Sequence, residues 1–357
     1  MTAGPPAAPG PGDRARLFGI LTSPWLAQAC YALVKFGLPD LMAAGPRDVA
    51  ELAAASGTDR RALHRMLRAL AAGGVVRQTA PGTFELTALG QLLRAGVPRS
   101  SRDAAIMFGE EVFRSLAEIT YTLQTGRPAF DKIYGQPFYD YLGGNPQAAQ
   151  TFATAMSEAP VPAALAACDL TGAGTIVDVG GGNGGLLSWV LRASPQARGV
   201  LFDIPSAVQQ ARARLAGTEV AGRIEFAEGS FFGALPPGGD VYVLSRVLHN
   251  WPDEDAIAVL RRVRAAIADG GRLLVFEELI ETGPTADQDQ DHAAAGRPAR
   301  GSVMDLLILV MLSGCDRSEA EYRELLDQAG FAVRSVRQAP VRPRQSESVI
   351  EAVPRVD

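Results

Sequence analysis

Five glycines crowd the stretch Ile176-Val-Asp178-Val-Gly180-Gly-Gly182-Asn-Gly184-Gly185, directly after an apolar, β-branched run. A strand that opens into such a turn lets a ligand approach the backbone, because there are no side chains in the way. Gly180, Gly182 and Gly185 also fit G-x-G-x-x-G, a pattern shared by dinucleotide and S-adenosylmethionine sites. About 20 residues on, GVLFDIP ends in Asp203, an acid able to accept both hydroxyls of a ribose. A third strand-like run ends in Glu228-Gly-Ser230-Phe231-Phe232, which sets a hydroxyl and a ring beside an adenine. His249 follows the next run, Asp240 to Ser245, and precedes Asn250-Trp251-Pro252-Asp253-Glu254-Asp255, an acid-rich helix start with Pro in its first turn. Glu277 and Glu278 end the following run, so one carboxylate can accept a bond from the second His249 nitrogen and fix its tautomer.

These pieces need a frame. The runs TIVDV, GVLFDI, RIEFAEG, DVYVLS and GRLLVFEE alternate with helical patterns, which predicts an α/β fold with a Rossmann-like parallel sheet. Upstream, apolar positions from Asp13 to Leu41 recur at helical spacing. Two further helical patterns meet at Ser56-Gly57, where Thr58 or Asp59 can cap the second. VVRQT and TFELT around Ala80-Pro81-Gly82 then form a wing, which completes a winged-helix unit. The resulting division is a disordered tail over 1–12, the winged helix over 13–100, a helical linker and substrate-lining segment over 101–168, and the cofactor domain over 169–357. A mobile loop is expected at 281–301, which is polar and rich in small residues. The helical segment breaks at 126–128, 135–137 and 143–146; after the loop come helices in MDLLILVML and EAEYRELLDQAGF, then a strand in ESVIEAV.

Composition excludes several classes. With 357 residues, 47% hydrophobic and 20% charged, the chain is expected to be globular, and its net charge of −5 gives no bulk reason to bind nucleic acid or an anionic membrane. No apolar run approaches the roughly 18 to 20 residues of a membrane span, and the N-terminus lacks the order of a signal peptide. Cys30, Cys168 and Cys315 are distant and odd in number, and His64, His249 and His292 are equally scattered. No metal is expected, nor a disulfide framework, and the compartment is read as cytoplasmic. Met107, Phe108, Phe113, Phe152, Met156, Met311 and Trp251 are candidates for an apolar pocket suited to a flat aromatic.

Taken together, VDVGGGNG, LFDIP, EGSFF, VLHNWPDEDA and DRSEAEYRELLDQAGF resemble the plant-type O-methyltransferase family, in particular its bacterial branch of mitomycin and anthracycline pathways. The resemblance spans nearly the whole chain. It implies S-adenosylmethionine held by Gly180 and its neighbours Asp178 and Gly182, Asp203 on the ribose, Ser230 and Phe231 near the adenine, and a contact from Ser245. It also implies His249 as general base with Glu277 and Asp316 as supports, Asn250 facing the substrate, and a homodimer built through the winged-helix region. Ser230, Asn250, Asp316 and Cys315 depart from the family's frequent Asp, Asp, Glu and Gly at these positions.

The expected reaction is methyl transfer to a phenolic hydroxyl of an aromatic, polyketide-type metabolite. A phenol has a pKa of ~10 and histidine lies near ~6.5, so a histidine in reach removes the proton as attack proceeds. Two alternatives remain at this stage: hydroxylation or decarboxylation on the same fold, and a DNA-binding regulator. The second is suggested by Arg60, Arg61, His64, Arg65 and Arg68 on the second helix of the helix-turn-helix.

Overall fold

A computed structural model describes residues 10–157, 164–165, 168–280, 300–338 and 347–355, which fall into two units. One takes in the chain up to residue 113 together with 150–157; the other holds 114–149 and the described residues from 164 onward. The expected loop at 281–301 lies outside the described residues except at its end, where the helix Arg300–Met311 begins. Most of the expected tail over 1–12 lies outside them too.

In the N-terminal unit the first helix is Pro11–Lys35, which starts two residues before Asp13, and a short helix, Leu38–Leu41, completes the expected stretch. Pro11 suits a first turn, and Asp13 Oδ2 accepts the Gly10 N–H at 2.8 Å. The helix-turn-helix is Val49–Ser56 and Arg60–Ala72. Asp48 and Asp59 cap these helices, and Gly57, at φ 68°, ends the first. The strands β1 (Arg47–Asp48), β2 (Val76–Ala80) and β3 (Thr83–Leu86) form an antiparallel sheet in the order β1-β3-β2. Leu33, Leu52, Leu63, Leu67, Leu70 and Phe84 make the core under it, while Arg60, Arg61, Arg65 and Arg68 face away.

The first helix behaves differently. Leu17, Phe18, Ile20, Leu21 and Trp25 are each more than half exposed. By length and composition Gly12–Lys35 also qualifies as a membrane span, which the run-length reading of the sequence did not find, because Thr22, Ser23, Gln28 and the small residues interrupt the apolar run without lowering its average much. An apolar face this size on one chain marks an interaction surface.

The C-terminal unit is built on seven strands, β4 (Thr175–Val179), β5 (Arg198–Asp203), β6 (Ile224–Glu228), β7 (Val241–Ser245), β8 (Arg272–Glu278), β9 (Phe331–Gln338) and β10 (Glu347–Pro354). Their order is β6-β5-β4-β7-β8-β10-β9, with the first five parallel and β10 antiparallel to both of its neighbours. The alternation of side chains splits the core. Val177, Val179, Leu244, Val275 and Ile350 pack with Leu260, Val263 and Leu326 on one face; Ile176, Val243, Leu274 and Val349 pack with Leu187, Val190 and Val208 on the other. Because β4 to β8 run parallel, Gly180, Asp203, Ser230, Ser245 and Glu277 all come to one edge of the sheet. Strand β9 was not foreseen. It begins just after Gly330, at φ 83°, and its half-exposed pattern with Arg334 and Ser335 blurs the alternation.

The aromatic segment forms short helices that end where breaks were expected. Ile119–Thr125 stops at Gly126 and Ala129–Tyr134 stops at Gly135, both glycines being left-handed, and Phe138–Gly144 follows. Phe130 stacks on Tyr134 at 4.3 Å and meets Phe138 and Tyr141 edge-on at 5.3 Å, which ties these helices together.

Candidate active site

At the end of β4 the chain turns through Gly180, at φ 71°, and its N–H donates to Phe202 O at 2.8 Å. A Cβ there would stand 2.9 Å from Val247 Cγ2, so only glycine fits. Gly182 is left-handed too, and its N–H donates to Asp203 Oδ2 at 2.8 Å; Asp203 Oδ1 accepts the Ile204 N–H at 2.7 Å. Asp203 is thereby pinned against the turn.

Beneath the turn lies Asp178, 1% exposed, whose Oδ2 has no hydrogen-bond partner. Burial, and then the charge of Asp203, push its carboxyl up to about 7 against a bond from the Leu187 N–H. Burial also raises Asp203, against its two amide bonds. Two carboxyls thus act on each other beside a backbone stripped of side chains. That donor set fits S-adenosylmethionine, which carries two cationic centres and a ribose diol.

Phe231 Cε1 lies 3.9 Å from the point where a Gly180 Cβ would stand, which places its ring over the turn. Ser230 accepts the Phe232 N–H at 3.3 Å, and Ser245 sits half-buried at the end of β7. Sequence reasoning missed Tyr139. It stacks on Trp251 at 5.6 Å, and burial, then Asp203, raise its hydroxyl above the ordinary range. Its only sequence signal was membership of the aromatic segment.

The other half of the edge is centred on His249, in the single turn Leu248–Asn250 after β7. Its Nδ1 stands 3.5 Å from Glu277 Oε2 and 3.4 Å from Asp316 Oδ1. Glu277 is 1% exposed, and its Oε1 accepts the N–H groups of Leu248 at 3.0 Å and His249 at 3.4 Å. Asp316 is buried as well, and its N–H donates to Asp305 Oδ1 at 2.9 Å. Burial favours neutral imidazole. The charge of Glu277 and the hydrogen bond and charge of Asp316 outweigh it, with Arg246 opposing, and the net effect raises His249 above 6.5. Asp316 accepts the bond from Nδ1 while Glu277 adds its charge, so the proton is assigned there and Nε2 is left as the accepting atom.

Asn250 Nδ2 donates to Arg246 O at 3.0 Å, and Arg246 itself has a left-handed backbone at φ 55°. Trp251 meets Phe231 and Phe232 edge-on at 5.8 and 4.8 Å. Met311 is buried at the end of its helix. Met107, Phe152 and Met156 belong to the N-terminal unit, the first buried, the second half-buried and the third exposed.

Arg317, next to Asp316, was not singled out from the sequence. It is 2% exposed. Its Nη1 donates to Leu248 O at 3.1 Å and Cys315 O at 3.4 Å, its Nη2 to Trp251 O at 2.7 Å, and its Nε to Asp253 Oδ1 at 2.9 Å.

Comparison with known proteins agrees with this geometry. Residues 113–332 match an O-methyltransferase domain, and residues 18–96 match an O-methyltransferase dimerisation domain. The chain is 37% identical to a phenazine O-methyltransferase of Lysobacter antibioticus, over 95% of each chain. It is 38% identical to 3-amino-4-hydroxybenzoate 4-O-methyltransferase of Streptomyces cremeus, over 94% of this chain and 89% of that one. It also superimposes with a TM-score of 0.74 on an O-methyltransferase of neocarzinostatin biosynthesis solved with S-adenosylmethionine and 2-hydroxy-5-methyl naphthoic acid. That match has 34% identity and covers 92% of this chain and 95% of the other. None of these relatives supports hydroxylation, decarboxylation or DNA binding. The dimerisation domain accounts for the exposed apolar face of the first helix, so the protein is a homodimer. With its cofactor edge and both domain matches in place, the chain belongs to the S-adenosylmethionine-dependent O-methyltransferase family.

Proposed function

We propose that the enzyme methylates a phenolic hydroxyl of an aromatic, polyketide-type secondary metabolite, with His249 as general base and Glu277 and Asp316 as its supports. The observation that carries this reading is the His249 ring with Nδ1 against two buried carboxylates. When bound, S-adenosylmethionine supplies an electrophilic methyl group on a sulfonium. Gly180 and Gly182 would hold it through backbone, Asp203 through the ribose, and Asp178, Ser230, Phe231 and Ser245 would complete its surroundings.

The acceptor's proton passes to His249 Nε2 as the oxygen lone pair becomes the attacking group. The imidazolium that forms lies beside Glu277 and Asp316, which stabilise the charge. A raised histidine also narrows the gap to a phenol at ~10, which makes the transfer less uphill. Trp251 and Tyr139 offer flat apolar surface, and we assign Asn250, Met311, Met107, Phe152 and Met156 to the substrate side. The named relatives act on phenazine, hydroxybenzoate or naphthoate rings, which supports a flat acceptor.

We further read residues 13–100 as the winged-helix dimerisation domain, 101–168 as the substrate-lining segment and 169–357 as the cofactor domain. The three free cysteines support a cytoplasmic enzyme, which cell fractionation checks. The functional test incubates the purified dimer and S-adenosylmethionine with hydroxybenzoates, hydroxynaphthoates and hydroxyphenazines. The expected product gains about 14 Da, one CH2, on a phenolic oxygen located by NMR. Methylation confined to nitrogen or carboxylate groups across the panel overturns the phenolic assignment.

A further inference from the structure

We infer that Arg317 is a positioning residue for the base, clamping the His249 turn and the Asp316 loop together so that the imidazole keeps its register with both carboxylates. The inference rests on the reading of His249 as the base.

Three segments meet at this residue, two through its side chain and one through its main chain. Leu248 O and Trp251 O, its acceptors at 3.1 and 2.7 Å, flank His249 and Asn250 in the chain. Cys315 O, at 3.4 Å, immediately precedes Asp316. Arg317's own carbonyl accepts the Ile280 N–H at 3.2 Å, and Leu279 forms a parallel bridge with it; Leu279 stands two residues beyond Glu277. One residue therefore joins the segments that carry His249, Glu277 and Asp316.

The contact is close on the backbone side as well. A Cβ on Gly314 would stand 2.1 Å from His249 O and 2.4 Å from Trp251 N, so the loop lies directly on the base-bearing turn. A planar guanidinium can reach carbonyls on both segments at once, whereas an ammonium is a single point and cannot span them. Burying this cation is costly unless its donors are paired, and here each of its three nitrogens has an acceptor. Three of the four acceptors are main-chain carbonyls, so the charge fixes backbone position rather than merely neutralising one acid.

The consequence is read at His249. The charged groups facing it are Glu277 from β8, Asp316 from the loop and Arg246 from the end of β7. The two acids hold the ring's proton only while their distances hold. Loosening the clamp weakens that support while the burial that favours neutral imidazole persists, so the ring's midpoint moves down.

Arg317→Lys tests this in the full-length dimer. We expect unchanged S-adenosylmethionine affinity by calorimetry, kcat lower by ~10²-fold with KM little changed, and a downward shift of the acid limb of kcat. The His249 ring, one of only three histidines, should titrate lower by NMR in the same variant. A residue that only stabilises the core would lower the melting temperature and leave kcat and both midpoints in place, and that result overturns the inference. Should Arg317→Lys fail to fold, Asp253→Asn decides: its side chain is 69% exposed, so the fold is retained. There we expect a smaller loss of kcat with the same downward midpoint shift, and an unmoved midpoint overturns the clamp. Wild-type turnover by His249→Ala would remove the base reading itself. An inactive His249→Ala beside a fully active Arg317→Lys removes only the clamp.

Discussion

Along one sheet edge, the Gly180 turn and the His249 turn treat charge in opposite ways. Under Gly180 and Gly181, buried Asp178 meets the charge of half-buried Asp203, acid against acid. Around His249 the two acids flank an imidazole, the proposed base, and a buried arginine ties down the neighbouring carbonyls. The first half sets like charges against each other. The second half sets opposite charges together, and its two acids raise the ring between them. Such an acidic site would favour the sulfonium form of the cofactor, which carries one more positive charge than its demethylated product. A base, in contrast, must keep its orientation whether or not substrate is present.

Substitutions that disturb one half and spare the other sharpen this contrast. The largest effect belongs to His249→Ala, which should lose roughly 10² to 10⁴ in turnover at neutral pH while binding S-adenosylmethionine normally. Calorimetry beside steady-state kinetics separates the two. Asp203→Ala should do the reverse. On the proposed role it removes charge-assisted bonds to the ribose worth ~1.5 to 3 kcal/mol, so the dissociation constant for the cofactor should rise about tenfold to a hundredfold.

The smallest effect is on stability. Asp178 titrates at about 7 in the fold against an ordinary 3.8, so the native state holds this proton longer than the unfolded chain does. Its contribution is present in full below the ordinary value and is lost as pH rises through about 7. Asp178→Asn has no such loss. Melting temperature without cofactor should therefore rise by a few degrees at pH 8, and the gain should shrink toward pH 4. A gain equal at both pH values would mean that packing, not the buried charge, sets the difference.

The same contrast explains what the sequence discloses. The half we assign to the cofactor was legible as a cluster because its parts are contiguous: strand, glycine turn and the Asp203 strand end follow one another, and the parallel sheet brings them together. His249 was legible from its place between a strand and an acid-rich helix start. Asp316 entered only through family resemblance, since no spacing rule links it to a histidine that far away in the chain. Arg317 and Tyr139 were given no role. Each looks ordinary in sequence, an arginine in a helix start and a tyrosine in an aromatic stretch, and gains its place only when distant segments pack. Strand β9 was missed for a related reason, its apolar alternation being weakened at the exposed sheet edge.

The base assignment is tested most directly by the ratio of wild-type to His249→Ala turnover measured across pH, at saturating cofactor, on a phenolic acceptor. Wild-type kcat should rise along an acid limb whose midpoint lies above 6.5, because Glu277 and Asp316 hold the ring's proton. The ratio should be largest near neutrality and collapse as pH approaches the phenol's own value of ~10, where the acceptor supplies its own phenolate. A ratio near one at pH 7, or a deficit that stays constant up to pH 10, would show that His249 shapes the site without taking the proton.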